Sequence, residues 1–134
     1  MRWNPDDVIA VLKTSAARYS IDRNRVFLTG LSLGGHGTWA TAAAYPDVFA
    51  AIVPIAGRGD VTQACALQSM PIWAFHGVAD SVVPVTGSST VTAAVAACGG
   101  SPRLTLYDGV DHDSWTQTYV DPSLYVCLLT QRRR

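Results

Sequence analysis

The chain of 134 residues has no glutamate and only one lysine, Lys13. Any carboxylate that takes part in chemistry is therefore one of its ten aspartates. Lysine and arginine together balance the aspartates at a formal net charge of zero, which leaves no electrostatic footprint for nucleic acid or an anionic membrane. The one basic cluster, Arg132-Arg133-Arg134, reads as a solvated tail. No apolar run approaches the roughly 20 residues of a membrane-spanning helix, and the N-terminus lacks the basic-then-apolar pattern of a signal peptide. The expectation is a soluble protein, cytoplasmic or secreted after processing. Cysteine is scarce too: Cys65, Cys98 and Cys127 form no Cys-x-x-Cys pair and no Cys/His cluster with zinc spacing, so neither a metal nor another cofactor is expected. Three buried, small, apolar thiols is the leading reading; one disulfide with a spare thiol is the other.

What is present is the composition of one globular domain over residues 1–134, 49% hydrophobic and 15% charged. Asn4-Pro5-Asp6-Asp7 is a helix start, with Asn4 at N-cap and Pro5 at N1, and Val8, Leu12, Ala16 and Tyr19 continue it as an apolar stripe. Val26 to Thr29 reads as a first strand. The run Ala50 to Ala56 reads as a second, and its unbroken apolar character suits a strand covered on both faces. Pro71 to His76 and Arg103 to Tyr107 complete four strands. Helical stretches lie after Ser32, from Pro84 to Cys98 and from Asp121 to Leu129, with a short one expected near Ala64 to Leu67. The alternation predicts an α/β fold with a doubly wound, mainly parallel sheet of about four strands flanked by helices.

Between the first strand and its helix stands Gly30-Leu31-Ser32-Leu33-Gly34. A Gly-x-Ser-x-Gly match arises by chance in roughly one chain in twenty of this length, but strand, sharp turn and helix are the context that gives it meaning. In that turn the serine occupies a strained backbone, and a side chain at either flanking glycine is expected to collide with the adjoining elements. Ser32 becomes a candidate nucleophile, and the Leu33 N–H a donor to a developing oxyanion, a contact worth about 3 kcal/mol.

In a parallel sheet, functional groups gather just beyond the carboxyl ends of the strands. The third strand leads into His76-Gly77-Val78-Ala79-Asp80 and the fourth into Asp108-Gly109-Val110-Asp111-His112, so Ser32, Asp80 and His112 share one edge. Serine, acid, histidine is the order of an α/β-hydrolase triad. A serine hydroxyl needs a base to take its proton, imidazole can do this near neutral pH and return it to the leaving group, and a carboxylate holds the ring in the right tautomer. His76 reads as a satisfied core histidine, and Asp108 and Asp111 as turn formers around Gly109. His36, one helical turn after Ser32, and Trp115, beyond His112, are candidate substrate-binding residues, each with helix packing as its alternative.

Together, Asp22-Arg23-Asn24-Arg25-Val26, Gly30 to Gly35, His76-Gly77 with Asp80 and Val83-Pro84, and Gly109 with His112 and Trp115 make the chain resemble the carboxyl-terminal half of α/β-hydrolase-fold serine esterases. The nearest group is that of feruloyl esterases, polyhydroxyalkanoate depolymerases and predicted peptidases. The resemblance implies a truncated α/β-hydrolase fold and hydrolysis of small carboxylic esters through an acyl-enzyme, with peptidase activity ranked lower. Family members also carry earlier strands and a His-Gly-Gly-like loop that supplies a second oxyanion donor, and nothing here corresponds to them. A noncatalytic binding or assembly module, or a fragment of a larger hydrolase, is the alternative. The first strand, central in the family, becomes an edge here, which predicts a homo-oligomer formed through the region of Val26.

Overall fold

A computed structural model of the chain describes residues 3–133. Helix α1 spans Pro5–Arg18, and Asn4 caps it as expected, its side-chain oxygen accepting from the Asp6 N–H at 3.0 Å. Strand β1 (Phe27–Leu31) leads through Ser32 into α2 (Leu33–Ala44), followed by β2 (Ala51–Ile55) and a 3₁₀ segment (Val61–Leu67). Next come β3 (Trp73–Gly77), α3 (Thr86–Ala97) and β4 (Arg103–Tyr107), then the short α4 (Trp115–Tyr119) and α5 (Pro122–Leu129). Strand limits lie within a residue or two of those expected. Helix α4 was not anticipated: Asp113 accepts from the N–H and hydroxyl of Thr116 and nucleates it.

All pairings are parallel, in the order β1-β2-β3-β4. Crossovers of one hand in a sequential order place every intervening helix on one face, and the packing agrees. Ile52, Ile72 and Ala74 meet Trp39 and Ala42 of α2, Leu67 of the 3₁₀ segment, and Val91 and Val95 of α3. Alternate residues of the strands point the other way. Val53, Ile55 and Phe75 are covered there by Leu124 of α5, with Trp115 and Tyr119 of α4 alongside. All five residues of β2 are buried, which explains its unbroken apolar run.

Pro54 stands inside that central strand, a position where proline removes a rung of the ladder. The ladder to β3 runs from the Ile52 N–H to the Pro71 carbonyl and from the Ala56 N–H to the Phe75 carbonyl, and Pro54 leaves the rung between them unmade. The β1 side is unaffected, with Phe27 to Leu31 in continuous register against Ala51 to Ile55. Helix α1 lies against α2, where the Tyr45 hydroxyl donates to Asp6 and the Trp3 ring fills the space a side chain at Gly37 would take. The cysteines depart from the leading expectation: Cys65 and Cys98 form a disulfide between the 3₁₀ segment and the end of α3, and Cys127 is free.

Candidate active site

The turn after β1 carries Ser32 at φ 55° and ψ −116°, a left-handed backbone that costs a residue with a Cβ roughly 1–2 kcal/mol. Three contacts hold it there. The Ser32 N–H donates to the Ile55 carbonyl at 2.9 Å, and the Ser32 carbonyl accepts from the N–H groups of Gly35 and His36 at 2.9 and 3.1 Å. A Cβ at Gly30 would run into the Gly34 carbonyl and stand 2.9 Å from Thr38 Oγ1. The second glycine of the expected motif behaves otherwise, because a Cβ at Gly34 would meet nothing within 4 Å. The tight approach is one residue later: a Cβ at Gly35 would lie 2.6 Å from the Ile55 carbonyl oxygen and 3.0 Å from Gly57 Cα.

The carboxyl ends of β1, β3 and β4 bring the three expected side chains together. Ser32 Oγ lies 2.8 Å from His112 Nε2, and His112 Nδ1 lies 2.9 Å from Asp80 Oδ2. A carboxylate only accepts, so Nδ1–H donates to Asp80 and bare Nε2 is left to accept the Ser32 hydroxyl proton. The Asp80 side chain is fully buried, while that of His112 is 21% exposed, so the imidazole faces solvent and the carboxylate does not. Burial is the largest single influence on Asp80 and would raise its pKa. The His112 bond and the N–H groups of Val83 and Val82, which donate to Oδ1 at 2.8 and 2.9 Å, together outweigh it and hold the carboxyl below its ordinary value.

Helix α2 begins at Leu33. Among the described residues, the Leu33 and Gly34 N–H groups have no acceptor within the chain, as expected of a helix's first turn. The Leu33 N–H is therefore free beside Ser32. His36 Nδ1 accepts from the Arg58 N–H at 2.9 Å, which puts its proton on Nε2, and burial followed by the Arg58 charge lowers its pKa. His36 forms one wall of a cavity of about 240 Å³ that also touches Trp3, Leu33, Trp39 and Arg58. Trp115 packs in the second core and meets the His112 ring edge-on, with centroids 5.1 Å apart and planes at 88°. It contacts the His112 ring directly.

Two features escaped sequence reasoning. Asp111 is more than a turn former, since its Oδ1 accepts from the N–H and the hydroxyl of Ser81, both at 2.8 Å, and so ties the β4 loop to the Asp80 turn. Ala56, just beyond β2, has φ 51°, a strained residue without a glycine to mark it. No group of three or more His, Cys or Asp residues among the described residues is placed to hold a metal ion.

A parallel sheet with helices on both faces, and chemistry-bearing turns at its carboxyl edge, defines the α/β-hydrolase fold. The profile of the prolyl oligopeptidase family matches residues 2–72, and the chain belongs to that family. The crystal structure of a thermostable esterase superposes with a TM-score of 0.90 at 39% identity, covering 95% of this chain and 36% of that one. A segment of 41 residues, 31% of this chain, is 58% identical to 10% of poly(3-hydroxyalkanoate) depolymerase C from Paucimonas lemoignei. Another of 76 residues, 57% of the chain, is 30% identical to 11% of the bifunctional acetylxylan esterase/xylanase XynS20E from Neocallimastix patriciarum. The chain thus spans about a third of the esterase, and its matches reach about a tenth of those two relatives.

Proposed function

We propose that the chain hydrolyses carboxylic esters through an acyl-enzyme, with Ser32 as nucleophile, His112 as general base and acid, and Asp80 orienting His112. The observation that carries this reading is the unbroken hydrogen-bond chain from Ser32 through His112 to Asp80. His112 Nε2 takes the hydroxyl proton as Ser32 Oγ bonds to the acyl carbon. The carbonyl oxygen becomes an oxyanion facing the Leu33 N–H, and buried Asp80 stabilises the imidazolium. When the oxyanion collapses, the bond to the leaving alkoxide breaks and the alkoxide takes the proton from Nε2. Water, deprotonated by the same nitrogen, then attacks the acyl carbon, and the acid leaves as Ser32 Oγ regains a proton.

The leaving group must lie where His112 can protonate it. The cavity walled by Leu33, His36 and Arg58 does not touch His112, so we assign it to the acyl chain, with His36 as a wall rather than a second base. Its neutral ring fits that role. The names of similar proteins, an esterase, a depolymerase and an acetylxylan esterase, favour an ester over a peptide bond. Hydrolysis of 4-nitrophenyl acetate beside the Ser32→Ala variant is the test. The variant should lose at least about 10³-fold in kcat, and a phosphonate inhibitor should add its mass at Ser32 alone. Equal rates from two folded proteins would refute the reading and leave a binding or assembly role.

A further inference from the structure

The acid of the site rests on a residue that the mechanism above does not use. His76, in β3, is fully buried, and both its ring nitrogens are engaged. Nε2 lies 2.8 Å from the Val83 carbonyl oxygen and 3.3 Å from Asp80 Oδ2, and Nδ1 lies 2.7 Å from Ser88 Oγ. A carbonyl only accepts, so Nε2 carries a proton and donates to Val83. In the neutral ring Nδ1 then accepts from the Ser88 hydroxyl, which sits at the start of α3.

The turn Asp80 to Val83 is thereby closed on itself and latched from behind. Its first residue accepts from the N–H groups of Val82 and Val83, and the carbonyl of its last is held by His76. The oxygen left over, Oδ2, is the one bonded to His112, and the His76 N–H stands behind that same atom.

We propose that His76 is a positioning residue that acts through Asp80, holding the acid turn so that Oδ2 stays on His112. The proposal rests on the reading of Asp80 and His112 as the orienting acid and the base. A ring serving only to fill space has no need of two polar contacts to one turn and a third to α3, because a buried imidazole carries a desolvation cost that an apolar side chain avoids.

Two variants separate positioning from packing. His76→Asn keeps an amide near Nδ1, within reach of Ser88, but cannot reach Val83 or Asp80. His76→Gln places an amide N–H about where Nε2 stands. The quantities to follow are the NMR resonance of the His112 Nδ1–H, which reports its bond to Asp80, together with kcat and KM.

If His76 holds the turn, His76→Asn lets Asp80 drift and leaves the imidazolium less stabilised. The His112 Nδ1–H resonance then moves upfield as its bond to Asp80 weakens, and kcat drops about tenfold with KM nearly unchanged. His76→Gln should restore both. If His76→Asn does not fold, Ser88→Ala releases the ring from its other side and should move the same resonance in the same direction. A resonance that stays put in a folded variant overturns the proposal, whatever happens to stability. Absence of Ser32-dependent turnover in the unaltered protein would instead refute the esterase reading, and the NMR signal would still decide the role of His76.

Discussion

The disulfide offers the most quantitative test of the fold. Cys65 and Cys98 are 33 residues apart in sequence, and closing a loop of that length removes about 12.5 cal/mol/K of entropy from the unfolded chain, or about 3.7 kcal/mol at 25 °C. The loop it closes contains β3 and α3, so it joins the 3₁₀ segment to the far end of the helix that packs on it. For 134 residues the entropy of thermal unfolding is about 280 cal/mol/K, so breaking the bond should lower Tm by roughly 8–13 °C, the lower figure allowing for residual structure in the unfolded chain. Calorimetry of the oxidised protein, the reduced protein and a Cys65→Ala/Cys98→Ala variant measures it. The reduced protein and the double variant should agree, and Cys127→Ala should melt with the unaltered chain. A fall of less than about 4 °C would show that the cross-link constrains little of the unfolded state and would refute the loop argument.

Gly35→Ala puts a methyl group 2.6 Å from the Ile55 carbonyl and should lower stability by about 2 kcal/mol or more, whereas Gly34→Ala, in open space, should change it by less than about 0.5 kcal/mol; urea titration distinguishes them. Asp80 has a lowered folded pKa, so its ionised form adds stability that is complete above its unfolded pKa of about 3.9 and is lost as pH falls through the lower folded value. The stability gap between the unaltered protein and Asp80→Asn should therefore close in that acid window, and a gap independent of pH there would contradict the assignment. His36 has a lowered pKa in the fold, so the unfolded state binds its proton first, and stability should fall as pH drops below about 6.5. In His36→Gln that slope should flatten. We also propose association through the exposed edge of β1, where Leu31 is 37% exposed; light scattering at micromolar concentration should show a dimer or larger species, and a monodisperse monomer would exclude it.

The meeting of Ser32, Asp80 and His112 was legible because its signal is local three times over. Each of Ser32, Asp80 and His112 follows a run that reads as a strand, and parallel strands send all such turns to one edge. The order of elements was legible for the same reason. Pairings between distant turns were not. No spacing rule connects Cys65 to Cys98, or Asp111 to Ser81, because each link depends on how two loops from different strands come to face each other. The glycine pattern was legible only in part: it marks a tight turn, but whether Gly34 or Gly35 faces the neighbouring backbone depends on where β2 ends. Pro54 is a case of tertiary context overriding a local rule, since a strand buried on both faces and continuously paired with β1 tolerates one missing rung toward β3.

That same strand also determines where Ser32 sits. The Ile55 carbonyl accepts the Ser32 N–H, and the space over it is open only because residue 35 has no side chain. Just beyond Ile55, the strained Ala56 turns the chain so that Gly57 packs on Gly35 and the Arg58 N–H reaches His36. Ser32 and Ala56, the two non-glycine residues with positive φ among the described residues, thus stand on either side of this contact, Ser32 held by the Ile55 carbonyl and Ala56 by the Phe75 carbonyl of β3. At roughly 1–2 kcal/mol apiece, neither conformation would persist in an isolated turn. The end of β2 is in this sense a mould for the Ser32 turn. A substitution that shifts Ile55 should move Ser32 Oγ away from His112 and impair turnover at a stability loss too small to unfold the chain.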